Sequence, residues 1–554
     1  MTFIWIFLGA LSFVTINWRL WHEYYEVGSM WIEQAVRFVV GFIWGLIGAN
    51  LVLMDITFSA WFIWFGIPIA VAHAWDWYLA YEEDGEYNLN TFMEAVITIG
   101  LVLGYVGMIT IYPIAITKST YDLANSYVTI VDTAVPETET ANIGLVSERT
   151  AKRLANPKIA ELGNSSKYTF GVYTKQSING EVVWVTPVEY AGTFRAKGST
   201  PGYFVVDVFD TTKEVKTVDG MDFKYMPSAI FSKDLKRHVH GEIPTKVLFT
   251  EMFQVDDEGN AFWVIPYGHY KYFRFVPEIE GIAIVNPTTG EINCYTVDEV
   301  PAWVDTVIPG DIAETYGNYY GSNKHGWWAK MAPTDQFALT VWEGDDAWSI
   351  VYDENGTMWY ATDTTTLNAD KSMVGYMMIN ARTMEIKYFP NVSGINGKGV
   401  SENFIQLYKE KSGWSPVEPT LYNIYGTLTW FSTMVDENGA IQAYCLGDTN
   451  AINVVGETTI SDALMSYKRK LATTGIESNP TAMSDTKTIQ GIVDRVIITD
   501  GRTKILMNQQ VFVIEQEVSV IAQFTKEGDT VKMVYLDTQE AEIFALEFEN
   551  LTLE

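Results

Sequence analysis

The residues with chemistry to offer fall into three groups. The first is a set of ionisable side chains in or beside long apolar runs: Glu33, Arg37, His73, Asp76 and Glu94. Charges in such a setting are costly and mark proton or ion pathways. Glu33 and Arg37 stand four apart, so on one helix face they can simply pair with each other. His73 and Asp76, in HAWDWYLA, fall near the end of their run, within reach of water. The second group is an acidic phrase written three times: QVDDEGNAFWV from Gln254, VYDENGTMWYA from Val351 and MVDENGAIQAY from Met434. A calcium loop needs oxygen ligands at alternate positions over twelve residues, closed by a Glu. None of the three has that spacing. An Asn-Gly pair between alternating apolar residues is a hairpin signal, because both turn residues tolerate positive φ. Hairpin turns are therefore expected at Asp257 and Gly259, at Asn355 and Gly356, and at Asn438 and Gly439. The third group is His238 and His240, in RHVHGE with Glu242. On a strand they would share a face and could take zinc, but no third ligand stands out. The acidic WEGDDAW (342–348) could hold a cation and reads equally well as an exposed turn. HExxH, GxSxG and a phosphate-binding P-loop are all missing from the sequence. No catalytic, cofactor-binding or metal-ligating set is assigned, and no enzyme is expected.

The elements around these residues come in two kinds. Four apolar spans open the chain, about 2–17, 33–54, 57–80 and 91–116. A helix needs about 20 apolar residues to cross a bilayer. The last three meet this. The first is short, and Trp18, Trp21, Tyr24 and Tyr25 extend it into the interface. It lacks the basic flank and small-residue cleavage site of a signal peptide. Residues 1–120 are thus expected to be a transmembrane domain of four helices. Arg19 and Arg37 lie in or beside the first loop, which puts that loop in the cytoplasm and everything after Ile116 outside.

A helical stalk and linker is expected over 121–166, including the basic helix ERTAKRLANPKIAEL. From Lys167 on, short β-branched and aromatic segments bounded by Gly, Pro, Asn or Asp dominate, as in EVVWVTPVEY and AFWVIPY. The clearest helices here are SENFIQLYKEK (401–411) and ISDALMSYKRKLATTG (460–475), the second with Ser461 as N-cap and Gly475 as stop. Each of the first two acidic phrases has a companion hairpin, GIAIVNPTTGEINCY and GYMMINARTMEIKYF. The repeat is thus two hairpins, used at about 250–300 and 347–392, with a third copy that keeps only its first hairpin. The domain expectation is 167–345 and 346–474 for two β-rich repeat domains, 475–486 for a linker and 487–554 for a small barrel. The fold class is α+β.

The segment IVNPTTGEINCY resembles the hairpin of PepSY-type modules, small α+β units found outside the membrane and in propeptides. KYMPSAIFSKDLKRHV, VDDEGNAFWVIP and VPAWVDTVIP are similar to a family of large multi-pass membrane proteins of Gram-positive bacteria, mobile elements and large phages. That resemblance implies a membrane-tethered protein of PepSY-like repeats and brings no catalytic residue with it. EGDTVKMVYLD is similar to an OB-fold strand after its turn.

The chain has 68 acidic against 37 basic residues, a net charge of −31. Such a surface repels nucleic acid, whose binding is driven by Lys and Arg. The two cysteines, Cys294 and Cys445, have no metal-ligand spacing; a disulfide and two free thiols both remain open. The expected partners are a lipid bilayer, further copies of the chain and a protein docking on the acidic ectodomain. The expected function is a membrane-anchored, non-enzymatic assembly protein. A channel with the ectodomain as vestibule, or a PepSY-type protease regulator, are the alternatives.

Overall fold

Away from water an apolar run can satisfy its backbone only as a helix, and the first part of the chain is helical. The structure is a computed structural model that describes residues 2–14, 27–84, 89–163, 165–192, 195–330, 335–340, 348–367, 371–473, 486–499, 502–516, 518–536 and 542–553. Helices α1 (Thr2–Ser12), α2 (Val27–Ile47), α3 (Phe58–Asp84) and α4 (Leu89–Val106) come first. A π-turn extends α2 over Gly48–Val52, and another carries α4 through Gly107–Ile111 into α5 (Tyr112–Ala115) and α6 (Thr117–Asn125). Three segments are long and apolar enough to cross a membrane: Ile32–Val52, Phe58–Tyr78 and Ala95–Ala115. Helix α1 has only 11 residues, which is short of a crossing by itself. Trp18, Trp21, Tyr24 and Tyr25 lie outside the described residues. The outward faces are apolar, with Val36, Val71, Leu103 and Ile109 all exposed.

The inward faces interlock through glycine. A Cβ at Gly9 would fall inside the Phe65 ring, one at Gly41 would meet Phe13, and one at Gly48 would meet Trp64. Pro68 inside α3 has no N–H for the carbonyl of Trp64. The indole of Trp44 donates to that carbonyl instead (2.9 Å), and the Trp64 indole donates back to the Trp44 carbonyl (3.0 Å). Their rings stack at 4.6 Å.

The β-rich region repeats one plan four times: a helix, then an antiparallel sheet that packs on it. The chain enters through β1 (Val128–Ile130), reserved for the third sheet. The first module joins α7 (Glu148–Glu161) to β2 (Tyr168–Phe170), β3 (Thr174–Ile178), β4 (Glu181–Tyr190), β5 (Tyr203–Asp207) and β6 (Lys216–Val218). Ser147 caps α7 through the Thr150 N–H. The second joins α8 (Leu235–Glu242) to β7 (Val247–Leu248), β8 (Met252–Val255), β9 (Ala261–Lys271), β10 (Val276–Val285) and β11 (Ile292–Thr296). The third joins α9 (Gly310–Ser322) to β12 (Phe337–Leu339), β13 (Ser349–Tyr352), β14 (Met358–Thr366), β15 (Ser372–Asn380), β16 (Ile386–Phe389) and β17 (Gly394–Ile395). The fourth joins α10 (Gly397–Leu407) to β18 (Ser415–Ile424), β19 (Thr427–Val435), β20 (Ile441–Asp448) and β21 (Val454–Glu457). Helix α11 (Ile460–Thr473) covers the other face of that fourth sheet through Ala463 and Tyr467. Thr459, not Ser461, caps it, accepting the Asp462 N–H; Gly475 lies outside the described residues.

The last sheet has six strands in the order β22-β26-β27-β25-β24-β23, and β25 and β27 run parallel. These are β22 (Thr486–Ile492), β23 (Arg495–Thr499), β24 (Arg502–Met507), β25 (Gln510–Glu515), β26 (Thr530–Leu536) and β27 (Glu542–Asn550). Arg469 of α11 lies over the Phe544 ring at 3.6 Å and ties this sheet to the fourth module.

Residues 117–130 bind directly to the third module. Tyr121 stacks on Tyr320 of α9 at 5.7 Å, and β1 extends the sheet parallel to β16. Cys294 is exposed and Cys445 buried, both as free thiols.

Candidate functional site

The three acidic phrases form one turn built three times. The first Asp of each accepts two backbone N–H groups on a single oxygen. Asp256 takes those of Glu258 (3.0 Å) and Asn260 (2.8 Å), Asp353 those of Asn355 and Thr357 (both 2.9 Å), and Asp436 those of Asn438 and Ala440 (both 2.9 Å). The other oxygen takes a side-chain N–H from Asn260, from the Trp359 indole or from Gln442, each at 3.0 Å. Only the glycine is left-handed: Gly259 at φ 86°, Gly356 at 74° and Gly439 at 78°. A two-residue Asn-Gly turn predicts positive φ on both turn residues. Here Asn355 and Asn438 keep negative φ, because the loop is one residue longer than an Asn-Gly two-residue turn. The anchor at the first phrase is Asp256; Asp257 reaches sideways, accepting the Asn179 N–H at 2.9 Å.

The phrases do not occupy equivalent places. The first two join β8 to β9 and β13 to β14, and the third joins β19 to β20, one strand further along its sheet. The place matching the first two is held by Asn179–Gly180 in the first module and Tyr425–Gly426 in the fourth, both residues left-handed in each. The fourth module also keeps a companion turn, with Asp448 accepting the Ile452 N–H at 2.9 Å where β20 turns into β21. The repeat is therefore four sheets, not two copies and a truncated third.

In the helical region Arg37 forks onto both oxygens of Asp76, at 2.8 Å to Oδ2, and also reaches Glu33 at 2.7 Å. Arg37 and Asp76 are 13% and 6% exposed, so the pair joins α2 to α3 in a setting with little water. Its fork geometry suits a carboxylate. His73 lies one turn before Asp76 on α3 and is half-buried. Glu94 lies on α4, and its side chain is outside the described residues.

A second buried pair closes the other end. Asp55, between α2 and α3, meets Arg274 at the tip of the β9–β10 hairpin at 2.5 Å; their side chains are 3% and 18% exposed. Thr57 donates its hydroxyl to the second Asp55 oxygen at 2.6 Å. The Ile56 N–H donates to the Pro244 carbonyl at 2.9 Å. Aromatic contacts flank the pair: Phe62 against Phe273 edge-on at 5.6 Å, and Tyr112 against Phe275 at 5.9 Å. Tyr272 and Phe273 both sit at left-handed φ, 47° and 68°. Two aromatic residues keep such a conformation only where surrounding contacts hold it; Phe62 supplies one for Phe273, and the core between modules two and three holds Tyr272.

His238 and His240 lie on helix α8, not on a strand, where positions two apart point to different sides. His238 Nε2 lies 2.7 Å from the Gly290 carbonyl. His240 is buried, and burial lowers its pKa against the opposing pull of Asp55. Among the described residues no three His, Cys, Asp or Glu side chains converge as metal ligands. WEGDDAW falls, apart from Trp348, outside the described residues.

Where the modules meet, the Asp305 carboxylate accepts the Ser177 N–H of β3 at 2.5 Å and the Tyr352 hydroxyl of β13 at 3.3 Å. Burial pushes Asp305 up to about 6. Its own backbone N–H donates to Gln254 of β8 at 3.1 Å, so this one residue touches three modules. Sequence reasoning missed Arg274, Phe273 and Asp305. Arg274 and Phe273 belong to no motif, Asp305 stands in VPAWVDTVIP with nothing in that phrase to single it out, and each gains its role from a contact more than a hundred positions away, to Asp55, Phe62 and Ser177 respectively.

The class defined by this architecture is a helical region of apolar spans carrying four helix-and-sheet modules and a terminal six-stranded sheet. Compared with known proteins, the chain matches no family model and no curated relative.

Proposed function

We propose that this protein is a multi-pass membrane anchor for a rigid, acidic, β-rich scaffold that works through protein contacts and not through chemistry of its own. The observation that carries the reading is the double attachment of scaffold to spans. Asp55–Arg274 and the aromatic contacts hold one side, and α6 against α9 holds the other. A tether that only confined a soluble domain would need neither. The Asp55 connection lies on the same side of the spans as the soluble modules, which suits a four-crossing layout with α1 as a short first span. With Arg19 and Arg37 counted on the cytoplasmic side, the same layout would have the modules outside the cell. The helix-then-antiparallel-sheet order supports a PepSY-like assignment for the modules, and the small terminal sheet supports an OB-like one.

Self-assembly has its own support. Gly41, Gly45 and Gly48 are filled from within by Phe13, Ile6 and Trp64. Gly100 and Gly104 of α4 and Gly107 at the start of the π-turn after it have nothing within 4 Å of a Cβ and line an open face. Small residues at such spacing let a second helix approach closely. The test is the mass and image of the detergent-extracted protein, with and without Gly104→Ile. A closed multimer that falls to a monomer on substitution supports assembly. A monomer in both, seated on a different protein, would replace it with the regulator reading. The channel alternative rests on Glu33, Arg37, Asp76 and Glu94; ion flux through reconstituted vesicles that changes in Glu33→Gln would favour it.

A further inference from the structure

Module three carries a feature that the scaffold does not need. Trp327 and Trp328 sit on a short 3-10 turn, Gly326–Lys330, and stack at 3.8 Å. They are 42% and 62% exposed. Large apolar rings placed side by side in water are costly unless something covers them. Their position says what does. The turn is seated against α5 and α6. Gly326, at φ 65°, brings its backbone so close to Lys118 that a Cβ would lie 3.4 Å from that side chain. Asn323 donates to the Thr120 hydroxyl at 2.8 Å. The last apolar crossing segment ends at Ala115, and Ile114 beside it is exposed. The two indoles are therefore held at the level where α4 and α5 leave the apolar zone. Lys118, Lys324 and His325 are exposed around them, in a chain of net charge −31.

We propose that Trp327 and Trp328 are a second membrane contact, inserted from the soluble side into the headgroup layer beside the exit of α4. Indoles favour that depth because their rings are apolar and their N–H groups need a polar partner. The lysines can extend their stems along the same layer and leave their charges at the phosphates. Together with the Phe273 tip, the pair would lay modules two and three down on the bilayer instead of letting them stand away from it. This rests on the reading of the long apolar helices as membrane spans.

The test uses the full chain in Cys294→Ser form, since Cys445 is buried. A single environment-sensitive fluorophore is placed at Trp328→Cys, at Ile109→Cys in the last span, or at Ile405→Cys on α10. Each protein is reconstituted into phosphatidylcholine vesicles with one-fifth phosphatidylglycerol. Quenching is read from aqueous iodide and from lipids spin-labelled at shallow or deep acyl positions. The expected result is shallow-lipid quenching at 328, deep-lipid quenching at 109 and iodide quenching at 405, with iodide several-fold weaker at 328 than at 405. Iodide quenching at 328 equal to that at 405 overturns the proposal and leaves the spans intact. Shielding of 328 from both quenchers overturns it in favour of a protein cover. Iodide quenching at 109 removes the membrane reading itself, and this proposal with it.

Discussion

Asp55 and Arg274 are 219 positions apart and meet at 2.5 Å, the one in a loop between apolar helices and the other at a hairpin tip. The pair turns a tether into a joint.

Removing one partner should be far worse than removing both. Asp55 is almost fully buried, so Arg274→Met leaves its charge uncompensated, at a cost of about 3–5 kcal/mol. Arg274→Met with Asp55→Leu should recover most of that. Thermal melts of the detergent-extracted protein measure both, and equal losses in single and double variants would show that the pair holds nothing.

The same logic applies inside the spans. Arg37→Met strands Asp76, and the helical region should loosen by about 3 kcal/mol. Arg37→Met with Asp76→Leu should be near neutral. Glu33→Gln should do little, since Glu33 is about half exposed and its pair with Arg37 is worth under about 1 kcal/mol. Protease protection of the spans in vesicles reports the difference.

At the second repeated turn, the carboxylate and the glycine contribute differently. Asp353→Ala removes acceptors from Asn355, Thr357 and the Trp359 indole, and should cost about 1–3 kcal/mol. Gly356→Ala meets no atom within 4 Å, so only left-handed strain is added, about 1 kcal/mol. Hydrogen exchange of the 353–358 amides in the whole protein separates them. Added calcium should leave the wild-type amides unchanged, because the Asp353 oxygens are already occupied.

Asp305 gives a pH dependence with a defined sign. Its folded pKa, about 6, lies above the ordinary value near 4. The folded state therefore holds the proton more tightly, and its stability should rise as pH falls from 7 through 6, levelling off near 4. Asp305→Asn should remove that part of the profile, up to about 2 kcal/mol allowing for partial exposure. Melting curves at pH 7 and pH 5 for both proteins decide it; identical slopes would sink the assignment.

Much of this molecule was readable in one dimension. The apolar runs predict helices because backbone groups in lipid have no other partner. The acidic phrases predict turns because a short carboxylate followed by glycine suits a tight reversal. The Glu33–Arg37 pairing follows from helical spacing alone. These are local properties, set within a handful of residues, so the amino-acid order determines them by itself. It did not reveal the fourfold plan, since helix-and-sheet modules with different turn residues, such as Asn179–Gly180 and Tyr425–Gly426, share a shape without sharing a phrase. Nor could it pair Arg37 with Asp76, Asp55 with Arg274, or Trp327 and Trp328 with the exit of the last span. Those relationships depend on which surfaces exclude water together, and only the tertiary arrangement of distant segments decides that.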